Sequence, residues 1–375
     1  MSLENVIETD VLIIGGGIAA CFAAIKAKEA GADVILVDKG HAGESGQSPF
    51  AGSFSVFDPN RDKGMDVLVD QITRGGEYVN NRAFTELVLK DSYARYQDLV
   101  SWGVEPRDMK GGGPDLPFKM VILGSKVWAE HMRPAVKKSN VKIMDRIMIT
   151  DLLKQDNRIV GAMGIPMGKY ETYIFKAKAT ILCTGAAAFK PQGWPVHNLT
   201  ADGDAMAYRV GAAITGKEFV DTHGTNADYP AFQGIAKKVK EGFIAPGAMQ
   251  NAEGEGVRST RGTLFLELEF EAHAGKAPLT IDHPDGNVVR IGGSSSGMSV
   301  HKAEGIWPEC TDGSTSIPGL YAAGDALGTM QMGAVYSSPG WALCGSAVTG
   351  AIAGIAASEY SKQAGKPDID QEEVD

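Results

Sequence analysis

The stretch Thr9-Asp-Val-Leu-Ile-Ile-Gly-Gly-Gly-Ile-Ala-Ala20, with Val34-Ile-Leu-Val-Asp38 after it, decides the fold of this chain. An apolar run ends in three glycines, a helical segment follows from Ile18 to Ala30, and a second apolar run ends in an acid. This order predicts a strand, a tight glycine turn, a helix and a second strand that lies parallel to the first.

The glycine turn has the spacing of a dinucleotide-binding site. Gly15, Gly16 and Gly17 let the backbone bend sharply and approach a pyrophosphate, which then faces the free N–H groups of the helix. Ala20 stands where the third glycine of the fingerprint falls, a position that accepts alanine. Asp38 follows Gly17 by 21 residues, the distance expected for an acid that binds ribose hydroxyls. The pattern also fits a parallel α/β unit with a tight turn and no ligand.

Composition and charge describe an ordinary globular protein. The chain has 375 residues, 43% hydrophobic and 22% charged, which is enough for two domains. Its net charge of −10 argues against nucleic acid or an anionic membrane surface as a partner. The amino terminus lacks the basic stretch followed by an apolar stretch that is typical of a signal peptide. Residues 342–357 predict a buried helix. We therefore expect a cytoplasmic protein without a membrane span.

The four cysteines, Cys21, Cys183, Cys310 and Cys344, are scattered along the chain. No two of them have the spacing of a zinc, redox or iron–sulfur motif, so we expect no metal site and no disulfide framework. Each is predicted to be a small, buried, apolar residue.

The remaining pattern predicts an alternation of helices and strands. Helices are expected within residues 61–103 and 128–138, and in a final segment rich in glycine and alanine. In that segment the small residues Gly345, Ala347, Gly350 and Gly354 are expected to allow close approach to the sheet. Residues 40–57 predict a loop. Strands are expected at residues 141–150, 158–163, 171–176, 179–185 and 320–325.

Three strand ends share one form, a strand that stops at glycine: Gly15-Gly-Gly17, Cys183-Thr-Gly185 and Ala323-Gly-Asp325. Together they resemble the FAD-binding domain of two-domain flavoprotein oxidoreductases. Four segments extend the resemblance to the flavoprotein family of fumarate reductase and succinate dehydrogenase. They are Thr200-Ala-Asp-Gly-Asp-Ala-Met206, Gly216-Lys-Glu-Phe-Val-Asp-Thr-His-Gly-Thr225, Asn251-Ala-Glu-Gly-Glu-Gly-Val-Arg258 and Ile317-Pro-Gly-Leu-Tyr-Ala-Ala-Gly-Asp325.

The resemblance implies an α/β fold: a Rossmann-like FAD-binding domain with a parallel sheet, plus a small, reduced α+β capping domain. The FAD-binding domain would occupy residues 1–222 and 291–375, and the capping, substrate-binding domain residues 223–290. Such a cap is much shorter than is usual in the family. The residues that the resemblance assigns to FAD are Gly15, Gly16, Gly17, Ala20, Asp38, Lys39, Ser45, Gly46, Gly52, Ile147, Met148, Thr184, Gly185, Asp202, Gly324, Asp325, Ser338, Gly340, Trp341 and Ala342.

Two departures from the family pattern change the expected chemistry. Members with covalent FAD carry a histidine after a serine, whereas Gly46 follows Ser45 here, so we expect noncovalent FAD. Fumarate reductases have an arginine that holds a substrate carboxylate where this chain has Tyr336. Both features are closer to the adenylylsulfate reductase branch, and the second argues against fumarate or succinate as the substrate.

The resemblance also implies five catalytic residues. His223 and Thr225 match the family's contacts to a substrate carboxylate, and His301 matches its second active-site histidine less closely. Arg258 or Arg261 would deliver a proton to the carbon opposite the hydride, with a carboxylate or water relay behind it because the pKa of arginine is so high. Each histidine also fits a buried structural role, and each arginine a surface ion pair.

These expectations describe an FAD-dependent oxidoreductase that transfers a hydride at flavin N5 to or from a small anionic substrate. A second interpretation is the flavoprotein subunit of a larger redox complex, which passes electrons to a separate iron–sulfur or ferredoxin-like partner. The sequence has no cysteine cluster, so electron transfer beyond the flavin would need such a partner or a soluble donor. A third interpretation is a flavin-bound protein with a degenerate site and a binding role.

Acid or heat should release the flavin from the purified, yellow protein, because Gly46 offers no side chain to which flavin can be attached. Acid precipitation, followed by absorbance of supernatant and pellet, checks this. Flavin that stays with the denatured chain would show a covalent bond, and the nearby His41 would be the first attachment point to test.

Overall fold

The computed structural model describes residues 5–44, 46–62, 64–108, 119–122, 127–186, 199–219, 224–226, 249–257, 270–282, 288–294, 304–333, 340–367 and 369. The strands are β1 (Val6–Ile14), β2 (Val34–Asp38), β3 (Ser53–Val56), β4 (Arg107–Asp108), β5 (Lys119–Ile122), β6 (Lys142–Asp145), β7 (Ile147–Gln155), β8 (Arg158–Pro166), β9 (Tyr173–Leu182), β10 (Ile214–Thr215), β11 (Gly224–Asn226), β12 (Met249–Gln250), β13 (Gly256–Val257), β14 (Leu279–Asp282), β15 (Val288–Ser294), β16 (Gly305–Ile306) and β17 (Leu320–Ala322). The helices are α1 (Ile18–Glu29), α2 (Met65–Gly75), α3 (Arg82–Ser101), α4 (Arg133–Lys138), α5 (Asp202–Arg209) and α6 (Trp341–Gln363). A π-helical turn, Trp128–Met132, precedes α4, and short 3₁₀ turns lie at Ser48–Phe50 and Gly324–Ala326.

A seven-stranded sheet forms the centre of the described structure. Its strands follow the order β6-β2-β1-β9-β8-β7, and β17 also pairs with β9. Because β1 pairs with β9 along its whole length, β8 and β17 share the opposite side of β9. The pairs among β6, β2, β1, β9 and β17 are parallel, whereas β8 and β7 form an antiparallel extension. The predicted α/β fold with a parallel sheet is confirmed.

Successive residues of β1 supply two separate cores. Val11 and Ile13 point into a core shared with α1 and α6, while Leu12 and Ile14 point into one shared with α5 and β7. A strand alternates its side chains between the two faces of the sheet. Both faces of this strand are covered, which is why its sequence is a continuous apolar run and does not alternate with polar residues.

Helices α1 and α6 cross in close contact over the sheet. A Cβ atom on Gly350 would lie 2.3 Å from the carbonyl oxygen of Ala19, and one on Gly354 would lie 2.3 Å from that of Ala23. Two glycines four residues apart therefore meet two alanines with the same spacing, and the backbones touch along one helical turn. The predicted approach to the sheet was wrong for this pair, since these glycines face α1. Gly345 instead faces the Gln331 side chain.

Helix α6 has a mean hydropathy of 1.4 in its most apolar 18-residue window, which together with its length is enough for a membrane span. However, 78% of that window is buried inside the protein. Such burial is typical of the core helix of a globular protein. The predicted burial of residues 342–357 is confirmed.

Three local predictions differ from the structure. Residues 53–56, predicted as loop, form β3, which pairs with β5. The strand predicted at 141–150 is split by Arg146, whose φ is +59°, and the left-handed residue turns the chain from β6 into β7. The strands predicted at 171–176 and 179–185 are one strand, β9, whose first half pairs with β8 and whose second half pairs with β17.

Burial of the cysteines agrees with the sequence except at one position. Cys21, Cys183 and Cys344 are buried, whereas Cys310 is exposed in the turn that precedes β17. Burial raises the pKa of Cys21 to about 12 and raises the pKa of Cys183 and Cys344 as well. These three thiols therefore remain protonated at neutral pH and are poor nucleophiles.

The segment predicted as a cap contributes to a second, antiparallel sheet. Its strands follow the order β11-β15-β14-β12-β13. Strand β15 runs to Ser294, four residues past the predicted boundary at residue 290. The division into domains stays a prediction.

Substitution of Gly350 by alanine should lower the melting temperature. Overpacking a close contact typically costs about 1–3 kcal/mol, while alanine in a helix gains only about 1 kcal/mol over glycine. The cost of overpacking should exceed the gain in helix propensity here, because the nearest atom belongs to the backbone and cannot rotate away. Thermal unfolding followed by circular dichroism measures the change.

The matched control is Gly365→Ala, since a Cβ there would meet no atom within 4 Å. A Gly350→Ala variant as stable as this control would show that α1 and α6 can separate without cost.

Candidate functional site

The carboxyl ends of four parallel strands meet at one edge of the central sheet. Register places Ile14 of β1 beside Val37 of β2 and Leu182 of β9, and Leu182 beside Ala322 of β17. A groove of about 600 Å³, including its open mouth, runs along this edge. Ligands of open α/β sheets bind in such a crevice.

The floor of the groove is made of backbone. Gly15 has a φ of +111°, and a Cβ atom there would lie 2.2 Å from the carbonyl oxygen of Cys183. A Cβ on Gly16 would lie 2.6 Å from Cα of Ala42 and 2.8 Å from the carboxyl carbon of Asp38. Only glycine fits at these two positions, because larger residues would push the neighbouring strand ends apart.

Helix α1 begins at the groove with its amide groups only partly satisfied. Gly17 is the N-cap residue and provides no side-chain cap. The N–H of Ile18 donates to the Ser48 hydroxyl at 3.0 Å, and the first helical hydrogen bond runs from Cys21 N–H to Gly17 O. A helix end of this kind attracts an anion such as a pyrophosphate.

Asp38 stands at the end of β2 with only 5% of its surface exposed. Its Oδ2 accepts the N–H of Gly40 at 3.0 Å, and its carboxyl group lies against Gly16. The carboxylate is therefore held beside the glycine turn, at the place where a ribose would follow a pyrophosphate.

A second, smaller pocket of about 340 Å³ continues the groove. Gly15, Asp38, Lys39 and Thr184 line both spaces, so the two are continuous. The far walls of the smaller pocket are apolar and come from Ile147, Met148, Ile149 and Met206. Walls of this kind suit a flat aromatic ring.

An ion pair borders this smaller pocket. The Lys39 Nζ lies 2.5 Å from Asp202 Oδ2 and 2.7 Å from Thr200 Oγ1. The Thr200 hydroxyl in turn donates to Asp202 at 2.8 Å. Because Lys39 follows β2 and Asp202 begins α5, the pair ties the two sides of the pocket together.

One buried hydroxyl along the groove lacks a hydrogen-bond partner. The Oγ1 of Thr184 is buried without such a partner in the described structure, and it lines both the groove and the smaller pocket. Buried polar atoms are almost always satisfied in native proteins. A ligand that reaches this point would therefore find a hydroxyl ready to donate or accept.

The opposite end of the groove is formed by Ala323, Asp325 and Ser346. Nearby, α6 begins after Gly340, whose φ is +84° and whose carbonyl accepts the Ser55 N–H at 3.1 Å. A Cβ on Gly340 would come within 3.0 Å of Ser55. The amino terminus of α6 is thereby docked on β3.

An ion pair between Arg133 and Asp145 supports the loop after β2. Arg133 Nη2 lies 2.5 Å from Asp145 Oδ2, and Arg133 Nη1 donates to the Ala42 carbonyl at 2.7 Å. Burial alone would raise the pKa of Asp145, but the Arg133 guanidinium and the Ala42 N–H outweigh it, and the net pKa is lowered. The carboxylate is thus charged at neutral pH, and its contribution to stability is lost only as the pH falls through the lowered pKa.

The structure brings most of the predicted cofactor residues together. Those that line the groove or its smaller pocket are Gly15, Gly16, Gly17, Asp38, Lys39, Gly46, Ile147, Met148, Thr184, Gly185, Asp202 and Asp325. Gly324 lies in the same turn as Asp325. Ala20 is instead buried inside α1, and Trp341 is buried in the core.

Several predicted residues cannot be placed. Ser45, Ser338, His223, Arg258, Arg261 and His301 lie outside the described residues, as does Tyr336. Thr225 lies in β11, but its side chain is outside what the structure describes. Gly52 and Ala342 lie next to β3 and in the first turn of α6, beyond the residues that line the two pockets.

Sequence reasoning missed other lining residues, among them Gln47, Ser48, Leu199, Met206 and Ser346. Ser48 is the most informative, since its hydroxyl caps the Ile18 N–H across 30 residues of sequence. No local pattern marks such a contact, because it depends on how the loop after β2 folds back over α1.

Residues 10–276 match a family model described as FAD binding domain. The chain is 30% identical over 267 residues to one subunit of the CoM/CoB fumarate reductase from Methanothermobacter marburgensis, and the match covers 66% of this chain and 48% of the relative. The chain spans about half the length of the curated relatives that it matches.

Solved structures share the fold as well, and two of them illustrate the match. They are Mycobacterium smegmatis Sdh1 in complex with UQ1 (TM-score 0.78, 20% identity, 99% of this chain and 72% of that one) and adenylylsulfate reductase from Archaeoglobus fulgidus (TM-score 0.77, 20% identity, 99% and 72%). Because the family model covers more than half of the residues, the chain belongs to the FAD-binding domain family.

Proposed function

We propose that this chain binds FAD noncovalently in the groove and acts as an FAD-dependent oxidoreductase on a small anionic substrate. The order of the groove's parts carries the proposal. Along the sheet edge the groove presents, in order, an apolar pocket, the buried Asp38, the glycine turn under α1 and the end formed by Asp325. Adenine, ribose, pyrophosphate and ribityl chain follow one another in the same order in FAD.

The residues present fit this cofactor. Ile147 and Met148 would flank the adenine, Asp38 would bind the ribose hydroxyls, and the α1 amides would face the pyrophosphate. The unpartnered hydroxyl of Thr184 lies where the adenosine half would pass. Asp325 would bind ribityl hydroxyls at the other end.

Bound FAD would supply a hydride acceptor and donor at N5, which no amino-acid side chain provides. The protein's contribution would be electrostatic and positional. The amino terminus of α6, docked on β3 through Gly340, would direct its positive dipole end at the flavin and stabilise negative charge there. Noncovalent binding agrees with Gly46, which stands where family members with covalent FAD carry a histidine.

The substrate class is supported by the relatives' names and by the residues assigned through the family pattern. Curated relatives include L-aspartate oxidase from Clostridium acetobutylicum, 28% identical over 58% of this chain, and the CoM/CoB fumarate reductase chain. Aspartate and fumarate are both small carboxylates. His223, Thr225, His301 and one of Arg258 or Arg261 remain the proposed substrate-binding and proton-donating residues.

A second candidate is the flavoprotein subunit of a larger redox complex. The sequence has no cysteine pair with redox or iron–sulfur spacing, so a separate iron–sulfur partner would carry electrons to or from the flavin. Copurification from the native host distinguishes the two: a stable iron-containing partner favours the complex, whereas turnover by the isolated chain favours the free enzyme.

Replacing Asp38 by alanine should weaken FAD binding by roughly 2–4 kcal/mol, since hydrogen bonds to a charged group contribute about 1.5–3 kcal/mol each and are not additive. Affinity for FMN, which lacks the adenosine ribose, should stay unchanged. Titration of the flavin-free protein with each flavin measures both constants.

The matched control is Asp33→Ala, which removes a carboxylate that is 67% exposed and paired with Lys28 at 3.2 Å. An Asp38→Ala variant that binds FAD as tightly as this control would remove Asp38 from the ribose site.

Fumarate should prove a poor substrate. Tyr336 stands where the family has an arginine, and a tyrosine cannot form a bidentate charged pair with a carboxylate. Reoxidation of the reduced protein by fumarate, other enoates and adenylylsulfate should be measured under anaerobic conditions. We expect kcat/KM for fumarate to fall below about 10⁴ M⁻¹s⁻¹, the lower end of the usual enzyme range.

The control variant, His223→Ala, should keep its FAD but lose turnover of whichever substrate is found. Efficient fumarate reduction would contradict the prediction, and Tyr336→Arg would then add little because the carboxylate clamp must lie elsewhere.

A further inference from the structure

Thr349, on the third turn of α6, is a buried polar residue that neither the family pattern nor the groove lining includes. Only 3% of its surface is exposed. Its hydroxyl accepts the N–H of Gly324 at 2.9 Å and donates to the Gly345 carbonyl at 2.7 Å. One side chain thus connects the helix to the turn that carries Asp325.

The Asp325 turn is fixed on its other sides as well. The N–H of Ala323 donates to the Leu182 carbonyl at 3.0 Å, which ties the turn to the end of β9. Gly324 has a φ of +63°, and a Cβ there would lie 2.7 Å from Cβ of Ala19 on α1. The turn is therefore enclosed by the sheet and α1, and Thr349 supplies its hydrogen bond to α6.

The hydroxyl is the important part of this side chain. Gly324 is buried, so its N–H has no access to water in place of Thr349. Loss of the hydroxyl would leave a buried donor without a partner, which is costly in protein interiors. The turn would relieve that cost by shifting, and Asp325, the next residue, would shift with it.

We propose that Thr349 is a positioning residue for the flavin: its hydroxyl holds the Gly324 peptide so that Asp325 meets the ribityl chain. This inference rests on the proposed function, because it takes FAD as the ligand of the groove. Helix α6 would then act on the flavin in two ways: through its amino terminus, and through Thr349, which orients Asp325 at the flavin end of the groove.

The test compares Thr349→Val, which keeps the shape and removes the hydroxyl, with Thr349→Ser, which keeps the hydroxyl. Titration of the flavin-free protein with FAD and with FMN gives the dissociation constants. Thr349→Val should weaken both flavins about tenfold, the loss expected for one buried hydrogen bond, while Thr349→Ser should stay within about twofold of wild type. Both flavins are affected because both carry the ribityl chain.

An Asp325→Ala background, which removes every hydrogen bond of that side chain, separates positioning from general stability. If Thr349 acts through Asp325, Thr349→Val should add less than about twofold in that background, because coupled residues are not additive. A merely structural role would give the full tenfold effect in both backgrounds and would overturn the proposal. Wild-type affinity in Thr349→Val would overturn it too.

Ser361→Ala provides the matched control, since it removes another buried hydroxyl of α6, whose hydrogen bond among the described residues lies within the helix, to the Ser358 carbonyl at 2.7 Å. It should leave both flavin affinities unchanged. Should Thr349→Val fail to fold, Thr349→Cys offers the same comparison with a weak acceptor in place of the hydroxyl. A wild-type chain that binds no FAD would overturn the proposed function itself, a result distinct from normal FAD binding that is insensitive to Thr349.

Discussion

The position of helix α1 is the constraint on which the rest of the structure depends. Its preceding turn touches, at Gly15, the backbone of Cys183 just after β9, and its own backbone touches α6 at Gly350 and Gly354. At each contact there is no space for a Cβ atom, so the distance is set by backbone and not by adjustable side chains. The helix is thereby held between the sheet and α6, with its amino terminus at the groove.

This arrangement explains why the ligand groove is polar at its centre and apolar at one end. Close packing of α1 leaves backbone amides facing the groove at the glycine turn, and amides favour an anion. Beyond Asp38 the lining changes to Ile147, Met148 and Met206, which belong to β7 and α5. One groove therefore offers different chemistry to the phosphate and to the ring of a dinucleotide.

The sequence predicted this end of the molecule well because the relevant signals are local. The glycine turn, Asp38 and the buried strand before Gly185, which ends at Leu182, each follow from a short run of residues. The pairing of β9 with both β8 and β17 was not predictable in the same way, since it depends on strands far apart in the chain. Likewise, the sequence predicted that α6 makes a close contact at Gly350 and Gly354, but it did not identify α1 as the partner. A helix rich in small residues has a similar composition on every face. The roles proposed for His223, Arg258, Arg261 and His301 on the substrate side rest on the family pattern and stay predictions.

Helix α6 shows that the core and the site of this fold are not independent. Its Gly350 packs on Ala19, while the preceding residue, Thr349, bonds to Gly324. Gly324 also packs closely on Ala19, because it has no Cβ atom. Helix α1, helix α6 and the Asp325 turn therefore meet at Ala19. A change in the crossing of α1 and α6 would therefore move the Asp325 turn as well as the core. The packing of small residues at Ala19 therefore helps to shape the groove end at Asp325, and such residues matter to the candidate site as well as the polar ones.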